Sequence, residues 1–214
     1  MAEQTHLLIT TTANDDVDDI VNHCKALKAA RFDPITVVTT DAEQLEALSA
    51  KGLQAIPMPE INNKDEFARL FHAVQKVCAS EQDKAGVIMV VPAAALEQTN
   101  PEDLRATRTI FWHEWVDAAV FGRPIFEEAD KNNTAFVKVV AGQNRKVMYM
   151  SRGAAPYGAD VMVADSGIRA YRFQALRQLA ETEPSPLERT ERISMLRALE
   201  ANLGVYMNLM TSAA

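Results

Sequence analysis

An α/β fold, a mostly parallel sheet flanked by helices, is predicted by three features of the sequence. Short apolar, β-branched runs alternate with amphipathic stretches of helical length through the N-terminal half. The junctions carry helix punctuation, with acidic or amide residues before the helices and a glycine after one of them. Finally, Gly86 to Val91 is an unbroken apolar run, as expected of a strand covered on both faces.

In chain order, His6 to Thr12 reads as the first strand, and Asp15 to Ala30 as a helix with Val17, Ile20, Val21, Cys24 and Leu27 on one side. Asn14, Asp15 and Asp16 suit its start, where acidic side chains meet exposed N–H groups. Ile35 to Thr39 is a second strand and Asp41 to Lys51 a second helix, which Gly52 closes in the usual C-terminal position. Leu53 to Ile56 returns as a third strand, and Phe67 to Val77 is a further amphipathic helix. Ligands of such sheets bind beyond the carboxyl ends of the strands. That rim is expected at Thr10 to Asp15, Thr39 to Asp41 and Pro92 to Leu96.

Asn100 to Pro124 reads as helices with Trp112, Trp115, Val116 and Ala119 on an apolar side. His113, Glu114 and Asp117 approach a zinc-protease spacing, but Asp117 stands where a second histidine is needed, so a solvated helix face is the better reading. Thr134 to Val140 and Lys146 to Met150 are two strands joined by a hairpin at Gly142 to Arg145. Ala170 to Glu200 reads as two helices around a bend at Pro184. The second begins with a capping box, Ser185 to Glu188, and Pro186 at its first position. Its apolar stripe, Ile193, Leu196, Leu199 and Leu203, is expected to continue through Met207 and Met210. That extension is either a partner interface, since methionine-rich surfaces adapt to partners, or a cover for the chain's own core.

The 214 residues are enough for one domain, 1–214, which buries about 70% of its unfolded surface. The net charge of -7 argues against a nucleic-acid partner. Cys24 and Cys78 form neither a disulfide framework nor a metal cluster and read as small buried residues in a reducing compartment. No basic leader is seen, and no run approaches the roughly 18 apolar residues of a membrane span, so a cytoplasmic location is expected.

Several segments then resemble one family. Phe136-Val137-Lys138-Val139-Val140, Tyr149-Met150-Ser151-Arg152 with Pro156-Tyr157, Gly167-Ile168, Tyr171-Arg172, Pro184-Ser185-Pro186-Leu187-Glu188 with Glu191, and Leu196 to Glu200 are similar, in order, to the C-terminal part of CMP-Kdo synthetases (3-deoxy-manno-octulosonate cytidylyltransferases). Val37 to Asp41 is similar to the family's V-A-T-D strand end. The resemblance implies a nucleotide-diphospho-sugar transferase (Rossmann-like) fold. Within it, 1–98 would be a nucleotide-binding half and 99–214 a sugar-binding half with a β-hairpin and helix dimerisation region. It also implies enzymes of lipopolysaccharide biosynthesis that join CMP from CTP to the acidic sugar Kdo, using Mg²⁺.

The functional positions of that family are replaced here. Its cationic loop after the first strand, P-A-R-Y-x-S-x-R-x-P-G-K, corresponds to Thr10 to Asp16, which has no Lys, Arg or Gly. Its metal-binding Q-G-D-E-P corresponds to Pro92-Ala93-Ala94-Ala95-Leu96, and alanine cannot hold a hard cation. No counterpart of its V-D-T-x-x-D segment precedes Ala214. Its sugar-binding His corresponds to Asp165, and its last-helix Glu-Gln pair to Ser194 and Met195. Two expectations follow. The first is a non-catalytic regulatory or scaffolding homodimer with no cofactor and no catalytic residue. Arg152, with Lys138 and Arg169, would be its residual anion ligands, unless Arg152 simply pairs with an acidic residue, and Leu203, Met207 and Met210 its interface. The second is an active cytidylyltransferase with a rebuilt Mg²⁺ site, for which Asp15, Asp16 and Asp41 are the nearest carboxylates.

Overall fold

The computed structural model describes residues 5–59, 65–78, 80 and 86–211. The first half is built as the sequence predicts. β1 (Thr5–Thr11), α1 (Val17–Ala29), β2 (Ile35–Thr39), α2 (Ala42–Ala50), β3 (Ala55–Pro57), α3 (Glu66–Val77) and β4 (Val87–Pro92) alternate, and β4 runs into a 3₁₀ turn at Ala93–Gln98. Strands β3, β2, β1 and β4 are parallel neighbours, with Leu7 opposite Ile35 and Met89. Gly52, at a φ of 79°, closes α2 in the left-handed conformation that glycine adopts without strain.

The second half completes the same sheet. α4 (Pro101–Ile110) leads to β5 (Ala118–Ile125), then come α5 (Glu128–Asn132), β6 (Lys138–Ala141), β7 (Val147–Ser151), β8 (Met162–Arg172), α6 (Phe173–Glu181), α7 (Pro186–Glu191), α8 (Met195–Glu200) and β9 (Val205–Leu209). The strand order is β3-β2-β1-β4-β8-β5-β9, with the β6–β7 hairpin attached through β6 to β8. β8 alone runs antiparallel on this path, so β5 points the same way as β4 and β9 pairs parallel to it.

Strand alternation sends side chains to two cores. Leu8, Ile88, Val90 and Tyr171 meet α3, α6 and α8 on one face, while Leu7, Ile9, Met89 and Val91 meet α1, α2 and α4 on the other. Both faces of β4 are therefore covered, as its unbroken apolar run requires. Among the described residues no helix is long and apolar enough to cross a membrane.

Four sequence expectations need correction. The helical reading of Asn100 to Pro124 holds only for α4, because Arg172 donates to the carbonyls of Phe111 (2.5 Å), His113 (3.1 Å) and Val116 (2.8 Å) and folds 111–117 into a loop. Trp112 and Trp115 are not on a buried side but 72% and 61% exposed, and Ala119 lies in strand β5. Ala170 to Arg172 is the end of β8 rather than a helix start; polar Asp165, Ser166 and Arg169 obscure the period of that strand. The capping box at Ser185 and Glu188 is present, but the helix it opens stops at Arg192, whose φ of 56° breaks it into α7 and α8.

The fourth correction concerns the C-terminal stripe. Leu203, Met207 and Met210 do not continue a helix: the chain leaves α8 at Ala201 and forms β9 along β5. Met207 and Met210 are 8% and 7% exposed and pack into the two cores of their own chain, and Leu203 packs half-buried against the first. The stripe covers the chain's own core and is not helical beyond Ala201. The reason is local, since Val205, Tyr206 and Met207 are good strand formers that find an open neighbour in β5.

Candidate functional site

The rim at the carboxyl ends of β1, β2 and β4 is where a parallel sheet presents its ligand site. Its shape is set by Gln44 of α2. The Gln44 carbonyl accepts from the hydroxyls of Thr11 (2.5 Å) and Thr39 (2.6 Å), and its amide donates to the backbone oxygens of Thr12 (3.0 Å) and Asp15 (2.9 Å). One buried side chain thus fastens the loop after β1 to the end of β2.

The three carboxylates considered as metal ligands have other partners. Asp16 caps α1, accepting from the N–H groups of Asp18 (2.8 Å) and Asp19 (3.0 Å), and Asp41 caps α2 through Gln44 N–H (2.7 Å). Asp15 accepts from the N–H (2.6 Å) and hydroxyl (2.9 Å) of Thr12. At β4 the 3₁₀ turn presents Ala93 and Ala94 to a groove of about 340 Å³ bordered by Asp15, Asp16, Asp19, His23 and Glu97. Mg²⁺ needs several oxygen ligands converging at close range. Among the described residues no group of three His, Cys, Asp or Glu side chains is placed to hold a metal by itself. The groove is acidic and would repel a triphosphate.

A second cleft, of about 220 Å³, lies beside the first between α3 and β8, lined by Thr10, Met58, Glu66, Arg69, Arg169 and Tyr171. The Arg169 guanidinium is gripped by both Asp165 oxygens at 2.6 and 2.5 Å. Burial works against its charge, and the Asp165 carboxylate more than offsets this, so its pKa is raised. Burial likewise raises the Tyr171 phenol, which donates to Met195 Sδ at 3.4 Å. Arg69, which sequence reading passed over, faces this cleft with no ion-pair partner among the described residues. Its only sequence signal was its place one turn after Glu66 on α3.

Lys138 and Arg152, expected as anion ligands with Arg169, bond to backbone carbonyls instead: Lys138 ties the start of the hairpin to its end, and Arg152 ties the hairpin to the C-terminal helices. Lys138 is fully buried, and its ammonium donates to the carbonyls of Asn133 (2.6 Å), Phe136 (2.9 Å) and Arg152 (3.1 Å). Burial lowers its pKa. The Arg152 guanidinium donates to the carbonyls of Glu191 (3.0 Å), Thr134 (3.2 Å) and Arg192 (3.3 Å). The Glu191 carboxylate accepts from Arg152 N–H (3.0 Å), Ser151 (3.0 Å) and Tyr149 (3.3 Å). The Arg152 N–H bond outweighs partial burial and the carboxyl lies below its ordinary value. The three cations do not converge on one open site. Glu191 and Gln44 were not singled out as site residues, because hydrogen-bond hubs leave no periodic signal in a sequence.

Comparison with known proteins agrees with this architecture. No family model matches the chain. The 3-deoxy-manno-octulosonate cytidylyltransferase of Brucella anthropi is 34% identical over 182 residues, covering 81% of this chain and 71% of that protein. That of Azorhizobium caulinodans is 31% identical over 190 residues, 87% of this chain and 74% of the relative. Among solved structures, a CMP:2-keto-3-deoxy-manno-octonic acid synthetase complexed with CTP superposes with a TM-score of 0.80 at 19% identity, covering 96% of this chain and 89% of that one. The superposition places this chain in the same fold as that structure, and the identity to the Brucella protein over most of both lengths places it in a family: the chain belongs to the 3-deoxy-manno-octulosonate cytidylyltransferases.

Proposed function

We propose that this chain is a non-catalytic member of its family, a cytidylyltransferase-like homodimer that acts in the cytoplasm by binding rather than by transferring CMP. The observation that carries the reading is the state of the rim. Where nucleotide transfer needs cations and a metal, the loop after β1 has none of the cations, and Asp15, Asp16 and Asp41 are engaged in turn and helix-cap bonds. Pairing is supported by exposed Phe126, Met148, Tyr157 and Val161, which cluster in the sequence around the hairpin half. Sedimentation of the full chain should give twice the mass of one chain, and a single-chain mass would sink the dimer.

Thermal unfolding with and without Mg²⁺-CTP tests the central reading. A ligand at 100 times its dissociation constant adds about 2.7 kcal/mol, which for a domain of this size raises the midpoint by roughly 5 to 11 °C. No Mg²⁺-dependent shift is expected at millimolar CTP. A rise of that size that requires Mg²⁺ would overturn the reading in favour of an active cytidylyltransferase, the activity its relatives are named for.

A further inference from the structure

The largest cavity among those described lies at the opposite end of the sheet from the rim. The loop 111–117 precedes β5, and because β5 runs the same way as β4, that loop sits at the amino ends of the strands. Here a cleft of about 560 Å³ is bordered by His113 and Trp115 on the loop, Asn144 and Arg145 at the hairpin tip, and Tyr206 and Met207 on β9. That volume falls within the range of small-molecule sites.

Its walls are fixed before anything binds. Beyond the three Arg172 bonds, Gly204 N–H donates to Asp117 at 2.7 Å, and a Cβ at Gly204 would stand 1.8 Å from the Trp115 carbonyl oxygen, so only glycine permits this approach. The hairpin tip is held by Met207 N–H on the Arg145 carbonyl (2.8 Å) and by Asn144, whose side-chain oxygen accepts from Lys146 N–H (3.1 Å). The Trp115 indole is stacked on the His113 ring, with centroids 4.5 Å apart and planes at 17°, which steadies it as a platform while most of its surface stays open.

The electrostatics of the cleft differ from those of the chain. In a molecule of net charge -7, no carboxylate lines it, and the Arg145 guanidinium has no hydrogen-bond or ion-pair partner among the described residues. A rigid aromatic surface beside an uncompensated guanidinium suits a flat ring carrying an anionic group, through stacking on one part and charge-assisted hydrogen bonds on the other. The Asn144 amide and Tyr206 hydroxyl stand beside them as further hydrogen-bonding groups. We propose that this cleft is a binding site for small aromatic anions of mononucleotide size, separate from the inherited rim.

The only two tryptophans of the chain, Trp112 and Trp115, both lie in this loop, so intrinsic fluorescence reports on the site and not on the rim. In a titration of the full chain, AMP is expected to quench the emission saturably. Adenosine, which lacks the anion, and ribose 5-phosphate, which lacks the ring, should each bind roughly tenfold more weakly or worse. Arg145→Asn, whose asparagine tolerates the left-handed backbone at a φ of 63°, should weaken AMP by a similar factor without moving the melting midpoint. Calorimetry of Trp115→Leu should show binding lost, while Trp112→Phe keeps it. Absence of saturable quenching by AMP at millimolar concentration would overturn the proposal. So would equal affinity for ribose 5-phosphate, or Arg145→Asn binding like the parent.

Discussion

Replacing Arg197 by leucine is expected to destabilise the chain by about 3 to 5 kcal/mol, enough to lower the thermal midpoint by roughly 6 to 20 °C. Arg197 is 1% exposed and is shared by four segments. Its guanidinium pairs with Asp65, the N-cap of α3, and makes two 2.7 Å bonds to the Glu188 carboxylate of α7. It also donates to the carbonyls of Leu179 (3.0 Å) and Thr182 (2.9 Å) at the end of α6, and lies 5.0 Å over the Phe67 ring. Leucine would fill some of the volume, yet leave two shielded carboxylates without a counter-charge, the costly way to break a buried ion network.

The same network has an acid signature. Burial alone would raise the Asp65 carboxyl, but the bonds from Arg197 and from Ala68 N–H hold it below its ordinary value of 3.8. A carboxyl depressed in the folded state stabilises the fold above its unfolded pKa, and that contribution is lost as the pH falls through the folded value. Denaturant unfolding of the parent should therefore show stability falling at pH below 3.8, with Arg197→Leu less steep there because its Asp65 loses the larger of the two bonds that depress it. A loss under about 1 kcal/mol at neutral pH, the range of an exposed ion pair, would show that the network does not hold these helices together.

The second large effect is expected from removing β9. A chain ending at Asn202 should fail to fold, giving no cooperative thermal transition by circular dichroism. The truncation strips the parallel partner from Ala118 to Gly122 and takes Val205, Met207 and Met210 out of the cores. It also removes the Asn208 amide, which donates to Asp103 O (3.0 Å) and Thr107 Oγ1 (2.8 Å) on α4. An exposed, apolar edge at β5 would favour association of the truncated chain over folding. Cooperative melting within a few degrees of the full chain would mean that β9 is an accessory strand.

Legibility in the sequence followed the kind of signal each element carries. β2 was readable to the residue and α1, α2 and α3 nearly so, because each has an apolar period and an acidic cap, Asp16, Asp41 or Asp65. β8 and β9 were hidden: the first mixes charged and apolar residues on a strand that lies between two others, and the second follows a helix whose apolar spacing continues across the boundary. The absence of Lys and Arg between Thr10 and Asp16 was visible as plain composition. The role of Arg152 was not, since whether its guanidinium faces a ligand or backbone carbonyls depends on residues brought from far along the chain, such as Glu191 and Arg192.

The Gln44 amide has a consequence for anyone who would graft a glycine- and lysine-bearing phosphate loop onto this scaffold. The backbone after β1 takes its path from a residue on another helix, which fixes two threonine hydroxyls and two carbonyls with one side chain. A glycine- and lysine-bearing loop spliced between Thr10 and Asp16 would meet that amide with the wrong groups opposite it. Gln44 would then be left shielded and partly unbonded, and the graft strained from below. Such an exchange would have to carry α2 and its Asp41 cap with the loop, as one cassette.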